Sequence, residues 1–385
     1  MNLAPVVDIN SNPQNPVIGI RSFGETPATV LAFGSHALKG YKKAHLIATL
    51  KHFPGHGDVS TDSHEDLPIV HKSKKALEEL ELLPFIKLAS SADAIMTAHL
   101  LVPALDPKHC STLSKKTLTY LKDTLGFQGV IVSDSLVMDG VLKTCGTVDE
   151  AAIRALKAGC DILILGGKLL TGEHAGFELS VADIKRVHQS LVEAVKQGRI
   201  SEERLNQAVT KILTLKNRYL NTEPFNKSID LEKHSALAQT IASLSLCVIE
   251  KTPIPPLHDK KVAVFAPQLL RETVNETSLL QLGKSADTLF FSGLSPSEAE
   301  IEQAKDCAEA ADILLICSYN AWKNPSQAAL IHTLLSMKKP VILVTTRDPL
   351  DALLFQEADL MIKTFSPTTP SIQAVCSYIT SLSHS

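Results

Sequence analysis

The sequence predicts an α/β fold built from two successive units, each with a largely parallel sheet. Three observations carry that expectation. Short apolar runs alternate with longer stretches of helical periodicity, the pattern of repeated βαβ units. The alternation breaks once, at a polar stretch near residues 221–233 and the Pro-rich run Thr252-Pro253-Ile254-Pro255-Pro256, and then resumes. The length of 385 residues suffices for two domains.

Five strands are expected in the first half, at residues 3–8, 46–52, 94–99, 130–134 and 162–165. Each is a short apolar run, and several end on a polar residue. Between them, residues 26–43 are Ala-rich and periodic, and 73–91 carry Lys, Glu and Leu at helical spacing. Residues 113–125 and 148–158 follow the same habit, and a helix is also expected over 135–142. Two long helices should follow, at 181–197 and 201–219. Ser201 would cap the second, with Glu202 and Glu203 in its first turn. This sets the first domain at 1–220. Residues 221–256 read as a linker containing a helix at 234–245, and 257–385 as the second domain. Its strands are expected at 262–265, 288–291, 313–317, 341–345 and 360–365, with helices at 297–311, 325–336 and 369–379.

Composition excludes several classes. A net charge of −3 without a long basic run argues against nucleic-acid binding. No apolar stretch reaches the ~18–20 residues of a membrane span. The residues after Met1 lack a signal-peptide pattern. Seven cysteines without a CxxC pair, most in apolar segments, read as reduced core thiols and favour a cytoplasmic setting.

The densest chemistry lies in Lys51-His52-Phe53-Pro54-Gly55-His56-Gly57-Asp58 and Asp62-Ser63-His64. Three histidines, two aspartates and a lysine fall within fourteen residues. Pro54-Gly55 breaks any helix there, so a strand running into a polar loop is expected. With Ser133-Asp134 at the end of a later strand, this segment resembles the family 3 glycoside hydrolases, and within them the β-N-acetylglucosaminidase branch. The resemblance implies a (β/α)8 TIM-type barrel followed by a smaller α/β sandwich. Five strands fall short of the eight of a full barrel. The expectation is therefore a barrel lacking its first one or two βα units, together with the family's sugar-holding aspartate and arginine.

The resemblance also assigns roles. Asp134 would be the nucleophile that forms a covalent glycosyl-enzyme; read alone, it would sooner be a cap of the next helix. His64, with Asp62 as partner, would be the acid/base. Imidazole titrates near pH ~6.5 and suits both proton donation and acceptance. Lys51, His52 and Arg21 match sugar-binding positions. His99 would line the site, Met138 would pack near the sugar, and Asp8 is counted with the substrate contacts, where it could also neutralise Lys51. His52, His56, Asp58 and His64 could offer metal ligands, but His-x₃-His is metal-like on a helix, which Pro54-Gly55 forbids, so no metal is expected. No P-loop, GxGxxG or GxSxG occurs, and no cofactor is called for. The expected partner is a small carbohydrate, an N-acetylglucosamine-containing muropeptide or chitooligosaccharide. Alternatives are a same-fold enzyme on another sugar, a phosphorylase, a non-catalytic sugar-binding remnant, or an interaction protein. The oligomeric state is open.

Overall fold

The computed structural model describes residues 1–63, 66–166, 176, 178–220 and 229–382. The chain divides into two compact units, Met1–Phe225 and Asn226–Ser385.

The first unit holds a parallel sheet of β1 (Thr49–Phe53), β2 (Ala94–Thr97), β3 (Val130–Ser135) and β4 (Ile162–Ile164), in that spatial order. Strand order follows chain order, and helices fill the crossovers, as in consecutive units of a βα barrel. The expected strand at 3–8 is present only as an extended segment beside β1. It forms isolated parallel bridges, Asn2 with Ala48 and Val6 with Lys51. Pro5, which has no N–H to give to a ladder, sits in its middle.

Period-two alternation explains why the sheet is buried on both sides. In β2, Ile95 joins the main core with Leu50, Phe53, Phe85 and Ile131. Its neighbours Ala94 and Met96 face the other way, with Val130, Val132 and Leu215. The helix Pro27–Lys43 forms as expected, with the Thr26 hydroxyl accepting from Thr29 N and Pro27 in its first turn. The helix Val148–Ala158 also matches.

Two expected helices are broken. The 73–91 segment splits into Lys74–Glu79, Leu83–Leu88 and a 3₁₀ turn, Ala89–Ser91. Leu80 leaves the helical region at φ −130°, Glu81 turns fully inward, and Pro84 starts the second helix. The 113–125 segment becomes a 3₁₀ turn, a short α-helix and a π-turn. After Asp134 the helix begins only at Asp139, because Ser135 still pairs with Ile164 in the sheet.

The second unit has a six-stranded sheet ordered β5-β10-β9-β8-β6-β7. Its strands are β5 (Cys247–Glu250), β6 (Lys261–Pro267), β7 (Ser285–Phe291), β8 (Ile313–Ser318), β9 (Val341–Thr345) and β10 (Leu360–Lys363). All neighbours are parallel except β5, which runs antiparallel to β10. Two apolar layers cover its faces, one around Phe265, Leu314 and Leu343, the other around Val264, Ile342 and Ile372. The linker expected over 221–256 needs correction. The helix Leu231–Ser245 packs on the C-terminal helix Thr369–Leu382, with Gln239 Nε2 donating to Pro370 O at 3.2 Å, and β5 completes the sheet edge. Both elements belong to the second unit. β5 escaped notice because it is a four-residue edge strand with exposed ends. Among the described residues no helix is long and apolar enough to cross a membrane.

Candidate active site

The C-terminal ends of β1 and β3 open onto a cavity of about 330 Å³ in the first unit. Arg21, Lys51, His52 and His56 line one part of it, and Ser63, Asp134 and Met138 another. Strand ends of a βα barrel are where its active sites form. Here β1 delivers Lys51 and His52, and β3 delivers Asp134.

Asp134 is half-buried and accepts a hydrogen bond from Ser135 N at 2.8 Å. Burial pushes its carboxyl up, but His52 and His99 nearby, with the Ser135 N–H, outweigh that and hold it below the ordinary aspartate value. Asp134 is therefore a carboxylate at neutral pH. Lys51 is drawn below the usual lysine value by burial and by Arg21, while Asp134 and Asp8 oppose the shift. Arg21 ends a 3₁₀ turn, Gly19–Arg21. Its Nη1 donates to Val17 O at 3.1 Å, and its Nη2 lies 3.3 Å from His52 Nε2. Met138 is 3% exposed and forms part of the wall.

Two expected ligand contacts are corrected. Asp8 is fully buried and does not line the cavity. Instead of bonding Lys51, it accepts from His52 Nδ1 at 2.7 Å, from His52 N and from His56 N at 2.7 Å. The turn at Pro54-Gly55 brings His56 N back over the end of the 3–8 segment, beside the His52 groups. His99 is also fully buried and lies behind the cavity wall. Its Nε2 contacts Ser135 O at 2.8 Å and its Nδ1 contacts Thr112 Oγ1 at 2.9 Å, so it braces the end of β3 next to Asp134.

The loop after β1 is pinned by groups that no motif announced. Glu81, fully buried, accepts from Lys72 Nζ at 2.5 Å and from Ser11 Oγ at 3.1 Å. Lys72 also bridges Asp58 at 2.9 Å. With Asp58 on Lys72 and His52 on Asp8, the candidate metal ligands point to different partners. A Cβ on Gly55 would lie 2.7 Å from Glu81 Cβ, and one on Gly57 only 1.5 Å from Ile9 O. Glu81 and Lys72 sit outside the motif at an uninformative spacing, so the sequence offered no signal for them.

His56 is buried; burial and the neighbouring His52 push its pKa down to about 4. Its Nε2 meets Ser63 Oγ at 3.1 Å. Ser63 O accepts from Gly140 N at 3.2 Å, so Ser63 is held through both side chain and backbone. Asp62 stands immediately before it, and Asp62 O accepts from Asp66 N. His64 lies outside the described residues.

The sequence profile "Glycosyl hydrolase family 3 N terminal domain" matches residues 1–215. A β-hexosaminidase A from Pseudoalteromonas piscicida is 32% identical over 352 residues, covering 86% of this chain and 56% of that protein. A β-hexosaminidase from Tolumonas auensis is 39% identical over 166 residues, 43% of this chain and 49% of that protein. The chain spans about half the length of the curated relatives it matches. Among solved structures, a family 3 β-N-acetylglucosaminidase from Paenibacillus sp. str. FPU-7 superimposes with a TM-score of 0.85 at 31% identity, over 99% of this chain and 74% of that one. A β-glucoside phosphorylase shares the fold at a TM-score of 0.76 and 19% identity. The architecture is thus that of a TIM-type barrel unit followed by an α/β sandwich, and the chain belongs to glycosyl hydrolase family 3.

Proposed function

We propose that this protein is a retaining β-N-acetylglucosaminidase, with Asp134 as nucleophile and His64, oriented by Asp62, as acid/base. One observation carries the reading: among the described residues, Asp134 is the only acid lining the cavity, and it is ionised. A retaining glycosidase of the usual kind needs a second carboxyl about 5 Å away to protonate the leaving oxygen. Among the described residues no second acid lines the cavity, which favours a proton donor other than a carboxylic acid. His52 has Asp8 on one ring nitrogen and Arg21 on the other. His56 stays neutral down to about pH 4. His64 follows directly on Ser63, which lines the cavity.

In the first step an Asp134 oxygen bonds to the anomeric carbon as the glycosidic C–O bond breaks, and His64 gives its proton to the departing oxygen. In the second, water attacks that carbon, His64 takes its proton, and Asp134 leaves. Arg21 and Lys51 supply donors for sugar hydroxyls. The names of the relatives and of the Paenibacillus structure support N-acetylglucosamine as the sugar. Peptidoglycan fragments released during wall recycling are the substrate we assign.

Asp134→Asn is nearly isosteric and removes the attacking charge. It should retain the wild-type melting temperature and lose at least about a thousandfold in kcat on an aryl β-N-acetylglucosaminide. Activity within a few-fold of wild type would refute the assignment. The pairing of one acid with Arg21 and Lys51 also favours an anionic acceptor. Assaying for sugar 1-phosphate with and without inorganic phosphate separates a phosphorylase from a hydrolase.

A further inference from the structure

We propose that Asp8 is a positioning residue that sets the tautomer of His52 and, through it, aims Arg21 into the cavity; this rests on the glycosidase reading for its functional consequence. Asp8 reaches no ligand itself, being fully buried and outside the cavity wall. Its two oxygens collect His52 N at 3.1 Å, His52 Nδ1 at 2.7 Å and His56 N at 2.7 Å. Bonding to these groups and to the nearby imidazoles overcomes the effect of burial and holds the Asp8 carboxyl below its ordinary value, so it acts as a pure acceptor.

The ring's other nitrogen completes the argument. Arg21 is permanently charged and carries only donors. His52 Nε2, 3.3 Å from Arg21 Nη2, must therefore present its lone pair. The proton then sits on Nδ1 and points at Asp8, in agreement with the 2.7 Å contact. The opposite tautomer would set N–H against N–H at Arg21 and a lone pair against a carboxylate. With Nη1 on Val17 O and Nη2 on His52, the guanidinium is gripped at two points. Its remaining N–H groups are left for the oxygens of a ligand in the cavity that Arg21 lines.

Asp8→Asn reverses this order. The amide oxygen can still accept from His56 N, but the amide NH₂ then faces Nδ1. The His52 proton moves to Nε2, and Arg21 is repelled. The expected result is a KM raised about tenfold or more, with kcat on an activated aryl glycoside changed less than threefold. Arg21→Ala should raise KM similarly, and the double variant should be no worse than Arg21→Ala alone. Additive losses would overturn the relay, as would an effect on melting temperature alone with unchanged KM. A second measurement needs neither the Asp8 and Arg21 variants nor a substrate. Histidine ¹⁵N shifts of the wild-type protein at pH 7, assigned with His52→Gln, should show His52 protonated at Nδ1 and unprotonated at Nε2. A protonated Nε2 would overturn the proposal. If no N-acetylglucosaminide is turned over but the Nδ1–H tautomer is found, the functional reading fails and the positioning role stands.

Discussion

His56 is a buried imidazole whose pKa is pushed from 6.5 to about 4, first by burial and then by His52. It must stay neutral in the folded state, while in the unfolded chain it protonates below about pH 6.5. Between those values the unfolded state binds more protons, so stability rises with pH across this window. We expect the urea midpoint to fall as pH drops from 6.5 to 4, by up to about 3 kcal/mol in unfolding free energy. In His56→Asn that slope should flatten, and an unchanged slope would assign the acid sensitivity elsewhere. Asp8 works in the same sense, at lower pH. Its pKa is depressed on folding, so its contribution is present above the unfolded value of 3.8 and lost as pH falls through the folded one. At His64 the prediction is kinetic. His64→Ala should lose far more activity on substrates with poor leaving groups than on activated aryl glycosides, roughly a hundredfold against a few-fold, because a good leaving group needs little proton assistance. Equal losses on both would remove His64 as the acid. At this scale the polar motif was readable because chemistry demands particular residue types: Asp134, Lys51, His52 and Arg21 all line one cavity. Asp8 and His99 were read as ligand contacts because a strand-end position does not reveal which way a side chain turns.

The loop 54–58 shows why elements matter as much as side chains. Pro54-Gly55 marks a turn in the sequence, but nothing there reveals that the loop folds back onto residues 8–10. The close approach is at Gly57, where an added Cβ would lie 1.5 Å from Ile9 O and 2.5 Å from its carbonyl carbon. Backbone cannot yield cheaply there, so the loop would have to lift. That would draw His56 N from Asp8 and loosen the Lys72 bridge between Asp58 and Glu81. Gly57→Ala should therefore lower stability by about 3 kcal/mol or more, the cost of severe overpacking with loss of a buried bonded group. A thermal melt decides it, and a shift below 2 °C would mean that the loop has slack. Helix boundaries followed a similar logic. Ser201 was legible as a start, because capping is local, and its hydroxyl accepts from Arg204 N at 3.2 Å. The break at Leu80–Leu82 was hidden, because it comes from Glu81 turning in to meet Lys72 nine residues earlier.

At the scale of the whole molecule, the sequence shows two α/β units clearly, because apolar runs and helical periods repeat over long stretches. It places their boundary too late. Residues 226–256 look like connecting chain because the Pro-rich run at 252–256 resembles punctuation and β5 is short. Their contacts say otherwise. The helix Leu231–Ser245 packs along Thr369–Leu382, and β5 gives β10 its antiparallel partner. Leu246, Val248 and Ile254 pack against one apolar layer of the sheet and Ile249 against the other. Removing four half-buried aliphatic side chains forfeits about 1 kcal/mol each, so about 4 kcal/mol in all before the lost ladder bonds are counted. That is a large share of the 5–15 kcal/mol by which a domain is ordinarily stable. It would also leave β10 as an open edge, a template for aggregation. Two fragments test this. Residues 226–385 should express as a soluble monomer and unfold in one cooperative urea transition. Residues 257–385 should aggregate, or unfold at a midpoint at least about 1 M lower, given urea slopes of 1–3 kcal/mol/M for small domains. Equal midpoints for the two fragments would show that the helix and β5 are ornaments on a core complete without them, and the boundary would return to residue 257.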